Sequence, residues 1–260
     1  MRWLFFVTPA ADGARNMALD EALMRRAARS GAADAVFRVY SWSTPTLSLG
    51  RNQRARGCYD EAGARRLGVS FIRRPTGGRA LLHHHEVTYS ATLALAHPDG
   101  AGVAYDFVNG VLLAALTRLG VAAARPTATT SLPPGLRPCF DVPAQHEIAV
   151  DGRKLVGSAQ WRRGDALLQH GSILVRDDQP LISQLLTPES AVTTPTPAAA
   201  TLAEALGYEP SVDQVAGTLR DALQEATSRP IEGFVGDAEL EADAGRLRET
   251  YESDAWTWRR

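Results

Sequence analysis

A cysteine and a lysine fifteen positions apart, Cys139 in PCFDVPAQHE and Lys154 in DGRKLVGSAQ, are the residues best suited to covalent chemistry. A thiolate is the useful nucleophile, and a nearby ammonium lowers an ordinary thiol pKa of about 8.5 toward neutrality. Cys139 closes a Pro-rich loop and Lys154 opens the second strand of a hairpin, so the loop can fold back over the sheet and bring them together. Each also has a plain structural reading: a lone cysteine is often a small buried hydrophobe, and a strand lysine is often exposed. A second group is the run RRPTGGRALLH at 73–83. Its adjacent glycines, Gly77 and Gly78, let a backbone turn tightly and a ligand approach its N–H groups, with Arg73, Arg74 and Arg79 supplying positive charge beside an anion or a polarised carbonyl. The alternative is a turn joining two strands, its arginines solvated at the edge. Third, Gly157-Ser158-Ala159 and His170-Gly171-Ser172 place glycine inside strands, where it marks close approach of a ligand or another backbone. If these strands pair across the turn at 163–165, Ser158 and Ala159 lie opposite the 167–170 segment and make a shallow floor. The triplet His83-His84-His85 invites a metal reading, but successive strand residues face opposite sides, so no metal site is expected. His83 is expected to face the cleft, and Cys58, in a polar turn, is read as structural.

The elements that must position these residues follow from periodicity and turn chemistry. WLFFV at 3–7 suits a buried strand, and 14–29 is an amphipathic helix. Short strands are expected at 35–41 and 45–50, then a helix capped by Asp60 and ended by Gly68. A strand at 69–74, the Pro75–Gly78 loop and a long strand over 79–95 come next. The longest helix is expected at 103–119, stopped by Gly120. From 145 to 175 the pattern is β, with hairpin turns at Asp151-Gly152 and Arg163-Gly164-Asp165. An exposed Thr/Pro/Ala connection at 192–201 leads to helices at 211–227 and 237–251, and the tail SDAWTWRR either packs back on the core or hangs loose. The fold class is α+β: a mixed, largely antiparallel sheet flanked by helices, in a single domain over 1–260 with a helical C-terminal segment at about 199–260.

Composition narrows the setting. A 45% hydrophobic content with a net charge of −1 excludes a disordered tail and a basic nucleic-acid binder. The N-terminal apolar run is too short for a secretory signal or a membrane span. Two cysteines make no disulfide framework, which fits a reducing cytoplasm. No long exposed apolar stripe is apparent, and a monomer is expected.

The motifs NMALDEALM (16–24), WSTPTLSLGRNQ (42–53), RRPTGGRALLHHHEVTYS (73–90), CFDVPAQHEIAVDGRKLVGSAQ (139–160) and LLQHGSILV (167–175) together resemble the lipoate-protein ligase, octanoyltransferase and biotin ligase superfamily. The resemblance spans nearly the whole chain. It implies a fold related to the catalytic domains of biotin ligases and class II synthetases, and a lysine, here Lys154, that contacts the acyl carbonyl. Ligases of the family show three consecutive glycines where this chain has Gly77-Gly78-Arg79, and they lack a nucleophilic cysteine. A cysteine upstream of the lysine resembles the branch that moves octanoyl groups from acyl carrier protein to protein; the other transferase branch carries its cysteine downstream, and no cysteine follows residue 139. By the same resemblance the chain is expected to lack the further C-terminal domain that many ligases carry.

The resemblance implies that Cys139 takes the octanoyl group from octanoyl-acyl carrier protein as a thioester. A lysine of a lipoyl domain or of the glycine cleavage H protein then accepts it, with no ATP required, and Lys154 stabilises the oxyanion. Arg74, Thr76, Gly77, Gly78, Arg79, His83, Gly157, Ser158, Ala159 and His170 would line or shape the cleft. No nucleic-acid or membrane partner is implied, and the loop at 131–138 is expected to be mobile. Two alternatives stand beside this: an ATP- and magnesium-dependent ligase working through an acyl-adenylate, and an acyl-binding or carrier-protein-binding module without turnover.

Overall fold

In the computed structural model the described residues are 1–29, 34–97, 99–125, 147–191 and 198–260. In chain order they form β1 (Arg2–Val7), α1 (Gly13–Arg29), β2 (Asp34–Tyr40), β3 (Thr46–Leu49), α2 (Glu61–Arg66), β4 (Ser70–Arg73), β5 (Leu81–His83), β6 (Glu86–Ala94) and α3 (Gly100–Leu119). There follow β7 (Ile148–Val150), β8 (Arg153–Arg163), β9 (Ala166–Leu174), α4 (Leu202–Leu206), α5 (Val212–Thr227), β10 (Glu232–Gly233), α6 (Ala238–Glu252) and α7 (Asp254–Thr257).

The main sheet has the order β10-β1-β2-β6-β9-β8-β7. Its β10–β1 and β1–β2 pairs are parallel and the remaining four are antiparallel, which is the mixed, largely antiparallel α+β arrangement expected. Side chains alternate across a strand, and this sheet is covered on both faces, so its central strands β6 and β9 are buried along their whole length. Trp3, Phe5 and Phe37 meet α3 and α5 through Val108, Leu112, Leu219 and Leu223. On the other face Leu4, Val36 and Tyr40 meet α1 and α6 through Met17, Leu23, Leu240 and Leu247. α3 is long and apolar enough to cross a membrane, but its Val108, Val111, Leu112, Ala115 and Leu116 are buried in the core beneath this sheet.

A second sheet, β4-β3-β5, stands beside the first with its own small core of Leu47, Leu49, Tyr59, Leu82, Ile182 and Leu185. Here the single strand expected at 79–95 is corrected. It divides at His84-His85: β5 pairs with β3 in the small sheet, while β6 pairs with β2 and β9 in the main one. The run contains no Gly or Pro at that point, so nothing local marks the division. The His85 carbonyl accepts the Val175 and Arg176 N–H groups, at 2.9 and 3.1 Å, and so ties the crossover to the end of β9. The tail, open in the sequence, packs back. Trp256 Nε1 donates to the Arg73 carbonyl at 2.7 Å, the Trp258 ring lies 5.0 Å from Phe71, and the Arg260 carbonyl accepts the Ala55 and Arg56 N–H groups.

Candidate active site

The two sheets face each other across a cleft of about 620 Å³. Gly77, Gly78, Arg79, Leu81 and His83 form the side belonging to the small sheet, and Lys154, Gly157, Ser158, Ala159, His170, Gly171 and Ser172 form the side belonging to β8 and β9. Met17, Tyr40 and Trp42 also line it. The structure therefore gathers Arg74, Gly77, Gly78, Arg79, His83, Lys154, Gly157, Ser158, Ala159 and His170 on one cavity. Thr76 does not line it but holds a residue that does. Cys139 and the 131–138 loop lie outside the described residues.

Lys154 is not the exposed strand lysine of its plain reading. Alternation along β8 turns it inward, and its Nζ lies 2.5 Å from Glu147 Oε1, the two side chains being 1% and 8% exposed. An ammonium removed from water needs such a carboxylate, because an unpaired buried charge costs several kcal/mol, roughly 3–5 when one partner is deleted. Lys154 is also the only lysine in the chain, every other side-chain cation besides histidine being arginine. Arginine and lysine differ in shape, hydration and proton chemistry, so a lone lysine in an arginine-rich sequence is a signal that sequence reasoning passed over. Glu147 was also missed; its mark is a carboxylate at the edge of the apolar run IAV.

Arg73 and Arg74 are not the solvated edge residues of the plain reading: both are buried and brace backbone. Arg74 donates to Ser48 O and Oγ, both at 3.0 Å, and to Gly77 O and Arg79 O, both at 2.7 Å. Arg73 donates to the carbonyls of Thr257, Gly50 and Gln53 at 2.8, 2.6 and 2.8 Å. Burial, with repulsion from Arg259, Arg260 and Arg74, pushes the Arg73 pKa down to about 10. Gly78 has φ +97°, a region side chains rarely adopt. Its carbonyl sits where a Cβ on Gly50 would be, at 1.9 Å.

The two cleft histidines are each fixed at both ring nitrogens. His170 Nδ1 is 3.2 Å from Asp20 Oδ2, and its Nε2 is 2.6 Å from Thr76 Oγ1. Burial, partly opposed by Asp20, holds the His170 pKa below its ordinary value, so the ring is neutral at pH 7. The carboxylate can only accept, so the proton is assigned to Nδ1 and Nε2 accepts from Thr76. Asp20 is wholly buried: burial raises its pKa, but Arg38 at 2.7 Å, with His170 and Ser90, outweighs this and holds the carboxyl below the usual range. His83 is anchored by Glu86 Oε1 and Ser48 Oγ, both at 2.7 Å, and its ring stacks on Trp42 at 3.9 Å. Glu86 Oε1 is shared with Thr88 Oγ1 at 2.5 Å and Ser172 Oγ at 2.8 Å. Sequence reasoning found the histidines and Thr76 and missed Asp20, Arg38, Ser48 and Glu86, which come from α1, β2, β3 and β6.

Ala159 pairs with His170, within the expected 167–170 segment, and Ser158 pairs with Gly171, one residue beyond it. The Ser158 hydroxyl is 2.7 Å from Tyr89 OH. A Cβ on Gly171 would sit 2.4 Å from the Gly157 carbonyl and 2.8 Å from Tyr89, so only glycine allows β8 and β9 to meet there. Away from the cleft, His84 and His85 lie in the crossover where strand alternation does not operate, and their donor atoms and an Asp178 oxygen are within 4.8 Å of one another. Cys58 packs against the core of the small sheet.

Residues 12–224 match the family described as the lipoyl protein ligase A/B catalytic domain. Over 272 aligned positions the chain is 36% identical to Octanoyltransferase LipM of Kyrpidia tusciae, covering 99% of each protein. It is 43% identical over 183 residues to Octanoyltransferase LipM of Carboxydothermus hydrogenoformans, covering 68% of this chain and 66% of that one. Among solved structures, a lipoate-protein ligase A bound with ATP superposes with TM-score 0.81 at 21% identity, covering 99% of both chains. The putative lipoate protein ligase Ta0514 of T. acidophilum with bound lipoic acid superposes with TM-score 0.79 at 22% identity, covering 99% of this chain and 98% of that one. At these identities the likeness is one of fold.

Proposed function

The chain belongs to the lipoyl protein ligase A/B catalytic domain family, and from that premise we propose that it transfers an octanoyl group from acyl carrier protein, through a Cys139 thioester, to a lysine of a lipoyl domain or of the glycine cleavage H protein. It is an acyltransferase, as its octanoyltransferase relatives are. The observation that carries the mechanistic reading is Lys154, a carboxylate-held lysine on a cleft wall beside Gly157, Ser158 and His170.

In the proposed first step the Cys139 sulfur attacks the acyl carbonyl carbon, a new C–S bond forms, and the bond to the carrier's sulfur breaks. The carrier leaves as the thiol, taking the proton of Cys139. In the second step the acceptor amine attacks the same carbon, a C–N bond forms, and the Cys139 sulfur departs and regains a proton from that amine. Each attack puts negative charge on the carbonyl oxygen, and an N–H of Lys154 is the donor that meets it. One thioester is exchanged for another and then for a more stable amide, so neither ATP nor magnesium is needed. Gly77, Gly78 and Gly157 leave room for the acyl carbonyl, and Leu81, Met17 and Trp42 offer apolar surface to the chain.

Intact-mass measurement after incubation with octanoyl-acyl carrier protein tests this. We expect one octanoyl adduct, formed without ATP, released by hydroxylamine as a thioester is, and absent in Cys139→Ala. The chain has no surface lysine to blur that result, its one lysine being buried. Free octanoate giving acylated acceptor only with ATP, and undiminished activity in Cys139→Ala, would establish the adenylating alternative instead.

A further inference from the structure

Positive charge is distributed unevenly over this molecule. Arg51, Arg54, Arg56, Arg79, Arg259 and Arg260 have no carboxylate within ion-pair distance among the described residues, whereas the arginines of α1 and α6 are paired with acids. The segments that carry them meet at one end of the cleft. Arg79 lines it, as do Asn52 and Gln53, which lie between Arg51 and Arg54. The Arg51 N–H bonds the Thr76 carbonyl of the glycine loop at 2.8 Å. Arg259 Nη2 donates to the Arg51 carbonyl at 2.5 Å, and the Arg260 carbonyl receives the Ala55 and Arg56 N–H groups.

Among the described residues the guanidinium groups of the cluster meet aromatic faces and backbone oxygens, not side-chain carboxylates. The Arg51 guanidinium lies 4.8 Å from the Trp161 ring centre and 5.6 Å from that of Trp256, and Arg259 lies 4.1 Å from Trp256. Arg79 Nη1 and Arg259 Nε are buried without a hydrogen-bond partner among the described residues. Burial, then repulsion from Arg51 and Arg260, lowers the Arg259 pKa. A surface that keeps like charges together at the mouth of its own cleft, in a chain of net charge −1, is arranged for an anionic partner.

We propose that this arginine cluster is the docking surface for an acidic protein carrier that delivers the acyl thioester into the cleft, an inference that rests on the reading of the cleft as an acyl-transfer site. A donor whose thioester hangs on a phosphodiester-linked arm presents two anionic features to the cluster: its acidic surface and its phosphate, which guanidinium forks bind well. Steering of this kind acts on encounter, so it raises kcat/KM for the carrier-borne donor and leaves a small neutral donor unaffected.

The test is the triple variant Arg54→Glu/Arg56→Glu/Arg260→Glu, three exposed positions, compared with wild type after thermal unfolding has established equal stability. With octanoyl-acyl carrier protein we expect kcat/KM to fall by about tenfold or more, and its decline with added salt to flatten. With S-octanoyl-N-acetylcysteamine, an uncharged donor, the rate should stay within about twofold. Equal loss with both donors, no loss with the carrier, or a change confined to the acceptor's KM would overturn the proposal. Wild type inert toward both donors would refute the acyl-transfer reading itself. Fluorescence anisotropy of a labelled acidic carrier still decides the surface in that case: binding by wild type and not by the triple variant supports it, and equal binding overturns it.

Discussion

On the face where α1 packs against α6, arginine meets carboxylate: Arg15 with Glu241 at 2.7 Å, Arg26 with Asp237 and Arg29 with Asp243 at 2.6 Å, Arg248 with Asp12 at 2.8 Å. At the cleft mouth arginine meets carbonyls, tryptophan rings and other arginines. The first arrangement is finished within the chain and belongs to the fold. The second leaves repulsion uncompensated, which a stability requirement alone would not retain. Between them lie the buried pairs Arg38–Asp20 and Lys154–Glu147, where desolvation makes the match of charges obligatory. Asp178 is the converse case: burial raises its pKa to about 6, and its nearest ion partner, His84 Nδ1, is 3.6 Å away.

If burial decides what a pair is worth, the largest effect belongs to Asp20→Asn, which strands the Arg38 guanidinium. Urea unfolding at pH 7 should show a loss of about 3–5 kcal/mol. The folded Asp20 pKa is depressed, so its contribution is present above the ordinary carboxylate range and lost as pH falls below about 4. Wild type and variant should therefore converge under acid, and a gap independent of pH would show that packing and not charge was removed.

Next comes Lys154→Ala, expected to cut the acyl-transfer rate by about 10²–10³-fold, as loss of an oxyanion donor does. Lys154→Arg sharpens the point. A guanidinium restores the charge but not the compact shape, and should leave most of that deficit in place; full recovery would mean that charge alone suffices. The same assays read both.

Asp178→Asn should act in the opposite direction to Asp20→Asn. A carboxyl whose folded pKa is raised is most favourable below the ordinary range, near pH 4, and its contribution is lost as pH rises through about 6. An uncharged asparagine should make the protein more stable than wild type at pH 8, by on the order of 1 kcal/mol, with the gain fading toward pH 4 in denaturant titrations. The smallest effect is expected at Arg26→Ala on the paired helical face. There an exposed pair is worth roughly 0.5 kcal/mol or less, and thermal unfolding should barely register its loss.

Much of the frame was legible because it is local. Asp151 with φ +49° and Gly152 with φ +76° make the first hairpin turn, Gly164 with φ +65° makes the second, and Ser211 with Gln214 forms the capping box that begins α5. These choices are settled within a few residues; the two turns and the start of the helix near 211 were read from the sequence, and the capping box itself was not. The division of 79–95 between two sheets was not legible, because an apolar run suits burial in either sheet and the crossover carries no turn residue.

The same boundary runs through the site. By its own residues the sequence determined which groups were available, Lys154, the paired glycines and two histidines, and by resemblance it assigned Cys139 its role. The tertiary structure alone decided the state of those groups. Arg74 became a brace for the loop because Ser48, Gly77 and Arg79 turn their carbonyls toward it. His170 stays neutral because burial in the cleft wall outweighs the pull of Asp20, 150 residues away in the chain. A side chain's type is local, but its charge and partners depend on solvent exclusion and on contacts that only the folded chain creates.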